Sequence, residues 1–194
     1  MHNPFARRFK AAALALPLTM LCVLTAQAGD YGGSAFPAID EFRFGVLAAD
    51  LEPGGASEDT IAVNAELLTP RIGGPYDGSF LAGFFHPRLH AGITVNTDAD
   101  GVNQAYAGLT WSHDLGDRLF LETSFGGAVH DGETDDDNDD SYGCTLQFRE
   151  SLSIGVHVTE RVSLMATVDH MSNANLCGEN QGLTNAGVRL GYRW

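Results

Sequence analysis

Residues 184–194 read Thr-Asn-Ala-Gly-Val-Arg-Leu-Gly-Tyr-Arg-Trp, and their alternation decides the fold. Successive side chains of an extended chain point to opposite sides. Ala186, Val188, Leu190, Tyr192 and Trp194 therefore share one face, and Asn185, Gly187, Arg189, Gly191 and Arg193 the other. The same period recurs upstream. Residues 86–96 set Leu89, Ala91, Ile93 and Val95 against Arg88, His90, Gly92, Thr94 and Asn96. Residues 143–157 set Leu146, Phe148, Leu152, Ile154 and Val156 against Thr145, Gln147, Arg149, Ser151, Ser153 and Gly155. Eight such segments are expected, at 41–50, 60–69, 86–96, 103–112, 117–129, 143–157, 160–172 and 184–194, separated by turn-rich sequence in a chain with 23 Gly.

A soluble sandwich would bury the apolar faces of these strands, whereas an outer-membrane barrel turns them to lipid and lines its interior with polar groups. Segments of about 10 to 12 residues suit a tilted bilayer crossing better than the ~5–6 usual in soluble sheets. The polar faces carry Arg43, Asn64, Glu66, Arg88, Glu122, Arg149 and Arg189, acids and bases that a small barrel satisfies by mutual pairing. An even strand count and a terminal aromatic, Trp194, complete the pattern. The expected fold is all-β, an eight-stranded antiparallel transmembrane barrel. The soluble sandwich is the more distant alternative.

Residues 1–28 read as a secretory signal: Arg7, Arg8 and Lys10, then an apolar run from Ala11 to Ala26, then a small-x-small site at Ala26-Gln27-Ala28. Residues 29–194 then form one barrel domain, with 29–40 a loosely ordered lead-in. Removing the leader takes away three cations and no acid, so the formal charge moves from −14 to −17. Such an acidic chain excludes nucleic-acid binding through a basic surface, and export excludes the cytosol. Cys22 leaves with the leader, so Cys144 and Cys177 remain as an even pair in an oxidising compartment, where a disulfide is expected. With both termini periplasmic, loops 51–59, 97–102, 130–142 and 173–183 face the exterior, and short turns at 113–116 and 158–159 face the periplasm. Residues 70–85 make an unusually long periplasmic link whose Phe80-Leu81 and Phe84-Phe85 suggest some strand.

The chemistry-bearing stretch is Asp169-His170-Met171-Ser172-Asn173. Val162, Leu164, Ala166, Val168, His170 and Ser172 share the lipid-facing stripe of the seventh strand. An imidazole and a hydroxyl two residues apart are what a general base and a nucleophile require. The simpler account is that polar groups are tolerated at the head-group level. A tight turn near 158–160 pairs residues whose numbers sum to about 320, so Glu150 comes opposite His170 on the same outward face. A carboxylate on a barrel's lipid face costs up to a few kcal/mol with depth, and pairing with His170 supplies a reason for it. A bulge turning Glu150 inward toward an Arg is the competing possibility.

These residues resemble the lipid A 3-O-deacylase family of the Gram-negative outer membrane. The likeness is sharpest over 169–194 and extends loosely over the barrel. It implies an outer-membrane esterase that removes the 3-position hydroxyacyl chain of lipid A, with lipopolysaccharide and outer-membrane lipids as partners. It matches His170 to the base, Ser172 to the nucleophile, Asn173 to the signature and Asn180 to an oxyanion-stabilising Asn. The family's acid lies twelve residues after the serine, where this chain has Thr184. Glu150 from the neighbouring strand takes that role, or Glu179 does, or the triad is incomplete. A Cys144–Cys177 bridge would pin the loop beside His170 and Ser172. Serine ester hydrolysis calls for no cofactor and no metal. His86, His90, His113, His130 and His157 show no convergent metal-ligand spacing, and the acidic run 131–141 reads as a solvated loop rather than an ordered Ca²⁺ site. The alternative function is a non-enzymatic barrel with a structural or surface-interaction role. Whether the barrel pairs as a homodimer stays open.

Overall fold

The computed structural model describes residues 39–51, 60–73, 79–134 and 141–194. The expected signal segment 1–28, most of the lead-in, most of loop 51–59 and the acidic residues 135–140 lie outside them. The described residues form eight strands: β1 (Glu41–Ala49), β2 (Thr60–Arg71), β3 (Arg88–Asn96), β4 (Gln104–Asp114), β5 (Leu119–His130), β6 (Leu146–His157), β7 (Val162–Ser172) and β8 (Leu183–Arg193). Each pairs antiparallel with its neighbours in sequence, and β1 closes on β8 from Glu41↔Arg193 to Ala48↔Ala186. Closure removes every sheet edge. The soluble sandwich is thereby excluded.

Alternation sets what the wall presents to each side. In β1, Glu41, Arg43, Gly45, Leu47 and Ala49 are buried while Phe42, Phe44, Val46 and Ala48 face out. Leu89, Ile93, Phe125, Leu152, Ile154, Leu164, Val188 and Leu190 continue the exposed apolar belt. The seven polar residues expected inside are all buried. Arg43 is the hub toward the short-turn end: its Nε lies 2.7 Å from Glu41, one Nη 3.2 Å from Glu66, and the guanidinium faces both oxygens of Glu122. Arg88 pairs with Glu41 and Asp40. Higher in the lumen, Arg149 lies 3.7 Å over the Tyr106 ring and 3.2 Å from Asp169, which also faces Arg189. Buried charges survive only when paired. The interior is thus a polar core, and the apolar surface is the exterior.

Two local expectations need correction. Among its described residues the 70–85 link has no strand beyond Arg71, the end of β2. It contains a short helix, α1 (Phe80–Phe84), and Trp111 of β4 stacks on Phe84 with ring centroids 5.9 Å apart while its Nε1 donates to the Phe84 carbonyl at 2.9 Å. β6 begins at Leu146 rather than 143, which leaves Cys144 in the loop before it.

Candidate active site

The site lies on the outer wall at the end of the barrel that carries the long loops. Along β7, burial alternates so that Leu164, Ala166 and Val168 are exposed and Ser163, Met165, Thr167 and Asp169 face in. His170 and Ser172 continue the outward row and are half-buried. The β6–β7 register sets Glu150 opposite His170 and Phe148 opposite Ser172, as the hairpin arithmetic requires, and no bulge turns Glu150 inward. Glu150 is exposed on the outer face.

The imidazole leans the other way, toward β8. Thr184 is the register partner of His170 on that side, and its Oγ1 lies 2.9 Å from His170 Nδ1. A hydroxyl can accept from Nδ1–H while donating its own proton onward. Gly182 explains why the ring fits there: a Cβ at this position would lie 2.4 Å from Cε1 and 3.0 Å from Nε2 of His170. Only glycine leaves room. No hydrogen bond joins His170 to Glu150 or to Ser172 among the described residues. Catalytic hydrogen bonds are often loose before substrate arrives. Thr184 as the group that holds Nδ1, and Gly182 as the space for the ring, were not foreseen as site features. The departure at 184 was the available signal.

The loop after Ser172 is tightly built. Ala174 and Asn175 both adopt left-handed backbone, φ 54° and 60°, which non-glycine residues take only when their surroundings hold them there. Asn173 supplies much of that hold. Its side-chain amide donates to the Tyr142 carbonyl at 2.9 Å and the Glu179 carbonyl at 2.6 Å, and its Oδ1 accepts from Leu176 N at 3.1 Å. Its backbone N–H donates to Asn180 Oδ1 at 2.7 Å. Asn173 is therefore engaged inside the loop, and Asn180 is fixed by that bond over the start of it. Cys144 and Cys177 are joined by a disulfide with Cα atoms 5.7 Å apart. Gly143 beside it has φ 72° and sits where a Cβ would strike the carbonyls of Glu179 and Cys177. Glu179 contributes its carbonyl to this clasp. Among the described residues no group of His, Cys, Asp and Glu could hold a metal ion.

The fold and this site define an outer-membrane barrel with a half-buried imidazole and hydroxyl on its lipid-facing wall. Residues 102–193, from just before β4 to the end of β8, match the model of the family described as lipid A 3-O-deacylase (PagL), a family of ester hydrolases. Of solved structures, the outer membrane enzyme PagL superposes with a TM-score of 0.60 at 18% identity, covering 79% of this chain and 99% of that one. Neisserial surface protein A superposes with a TM-score of 0.54 at 9% identity, covering 79% and 96%. At these identities both likenesses speak for the barrel alone. No curated protein matches the sequence.

Proposed function

We propose that the protein hydrolyses the 3-position hydroxyacyl ester of lipid A in the outer leaflet, with Ser172 as nucleophile and His170 as base. The observation that carries this reading is the placement of His170, held by Nδ1 on Thr184, two residues before Ser172 on the lipid-facing wall. With Nδ1 on Thr184 Oγ1, Nε2 is the ring nitrogen assigned to take the serine proton. A rotation of the Ser172 side chain brings Oγ toward it. His170 then takes the proton as Oγ attacks the ester carbonyl, and gives it to the departing sugar oxygen when the tetrahedral intermediate collapses. Water attacks the acyl-serine by the same route and releases the hydroxy fatty acid. The Asn180 amide, clamped through Asn173 N, is the side-chain donor for the oxyanion. Glu150 lends negative charge to the imidazolium from the β6 side.

The location fits the substrate. A lipid arrives laterally, with its chains along Val168, Ala166 and Leu164 and its head group level with the long loops. The test is mass spectrometry of lipid A incubated with the full chain in detergent, wild type against Ser172→Ala and His170→Ala. Loss of one hydroxyacyl mass in wild type only, with all three proteins folded by heat-modifiable gel mobility, is the expected result. Hydrolysis retained by both variants would overturn the mechanism.

A further inference from the structure

α1 lies against the outer wall of β4 at the short-turn end of the barrel. Between the helix and the β4–β5 hairpin runs a cleft of about 350 Å³, lined by Gly83, Phe84, Trp111, His113, Leu121 and Thr123. That is within the range of small-ligand clefts, about 300–1,000 Å³. Its floor is two register pairs, Trp111↔Thr123 and His113↔Leu121, which point outward because the alternate residues Thr110, Phe120 and Glu122 are buried in the lumen. Its wall is Phe84, stacked on Trp111 and held by the bond from Trp111 Nε1 to the Phe84 carbonyl at 2.9 Å.

Two observations point to the occupant. The cleft adjoins the lipid-facing belt: across β5, Leu121 pairs with Ile154 and Thr123 with Leu152, both exposed on the outer face. On the helix side, Leu81 and Phe85 are 76% and 75% exposed, more than any large apolar residue of the strands. An apolar face this open beside a tryptophan suits the interfacial level of a membrane. The second observation is charge. From residue 29 on, the chain has eight arginines and no lysine. Arg43, Arg88, Arg149 and Arg189 are buried in the lumen. The other four, Arg71, Arg118, Arg161 and Arg193, lie at the short-turn end, and the segments joining strands at the opposite end contain no Lys or Arg. An anionic head group therefore meets permanent cations at this end alone, which its short turns mark as periplasmic. Arg118 is exposed in the β4–β5 turn, three residues from Leu121 on the cleft floor, at most about 10 Å of chain. Asp114 and Asp117 share that turn, and Asp114 lies 3.5 Å from His157.

We propose that this cleft binds a phospholipid of the periplasmic leaflet, with one acyl chain between the Phe84–Trp111 stack and Leu121 and the phosphate on Arg118. The site lies four strands around the ring from β8 and at the other end of the barrel from His170 and Ser172, so it does not rest on their chemistry. The test uses the full-length protein folded into phosphatidylcholine vesicles. The chain has two tryptophans, so Trp194→Phe leaves Trp111 as the only emitter. Its quenching is titrated with phosphatidylglycerol or phosphatidylcholine brominated near the head of one chain. The expected half-quenching mole fraction is at least threefold lower for the glycerol lipid. Thr123→Phe, which fills the cleft from a face already exposed to lipid, raises that mole fraction at least threefold. Arg118→Gln makes the two lipids equivalent. Folding of each variant is read from heat-modifiable gel mobility. Equal titrations for the two lipids mean annular contact only and overturn the site. A preference that survives Thr123→Phe or Arg118→Gln overturns the assignment to this cleft. If neither lipid quenches Trp111, a second copy or another protein covers it, and the proposal is overturned.

Discussion

Gly182→Ala tests the site by crowding it rather than by removing a reacting group. The added Cβ would lie 2.4 Å from His170 Cε1 and 3.0 Å from Nε2, against 3.4–4 Å for ordinary contact. The ring must therefore retreat by at least about 1 Å, and retreat in that direction lengthens the 2.9 Å bond to Thr184. Misplacing a catalytic group by about 1 Å costs on the order of 10²-fold, or about 2.7 kcal/mol of barrel-independent barrier. The expectation is a kcat down about a hundredfold with KM little changed, since the acyl-chain contacts along Val168 and Ala166 are untouched. Gly127→Ala is the control for crowding: a Cβ there meets its nearest neighbours at 3.7 and 3.8 Å, ordinary contact, at a position two strands from Ser172 with Phe148 between them. The assay is initial rate of fatty-acid release from lipid A in mixed micelles, with folding checked by gel mobility. A folded Gly182→Ala protein within twofold of wild type would refute the claim that the ring must stay where it is.

Three further expectations concern the scaffold. Val188→Arg puts a cation on the exposed apolar belt midway along β8, and should lower stability in bilayers by about 2–4 kcal/mol in urea titration. Removing Arg43 as Arg43→Ala leaves Glu41, Glu66 and Glu122 facing one another in the lumen, and should cost about 3–5 kcal/mol by the same measurement. Reduction or Cys177→Ser opens a loop closed across 33 residues, for which chain entropy gives about 3.5–4 kcal/mol. The activity loss should exceed what the unfolded fraction accounts for, because the same bridge holds the loop that carries Asn180.

The barrel was legible because period-two alternation over ten residues leaves few alternatives, and because a tight hairpin converts sequence distance into register. Glu150 opposite His170 follows from that arithmetic alone and stands in the structure. The features that escaped depend on contacts no local pattern carries. The helix Phe80–Phe84 spans barely more than one turn, too short for a helical period to show among its aromatics. Asn173 looked like a member of the reacting set because it adjoins Ser172, yet its amide is consumed by carbonyls 31 and 6 residues away. The Thr184 contact needed the strand on the other side of His170, which the hairpin sum around 320 does not reach. Substitution of the expected acid at 184 was visible in the sequence; the direction in which the imidazole would lean was not.

Placing the reacting row on the barrel's outer wall changes what concentration means for this protein. Ion pairs cross the lumen, and on the proposed mechanism encounter takes place within the plane of the leaflet. The rate then depends on the mole fraction of substrate among surrounding lipids and on lateral diffusion, and diluting the whole sample leaves it unchanged. Adding inert detergent or phospholipid slows the reaction at constant protein and substrate. A water-soluble ester of the same acyl chain lacks the two-dimensional confinement and is turned over poorly, even though it presents the same bond.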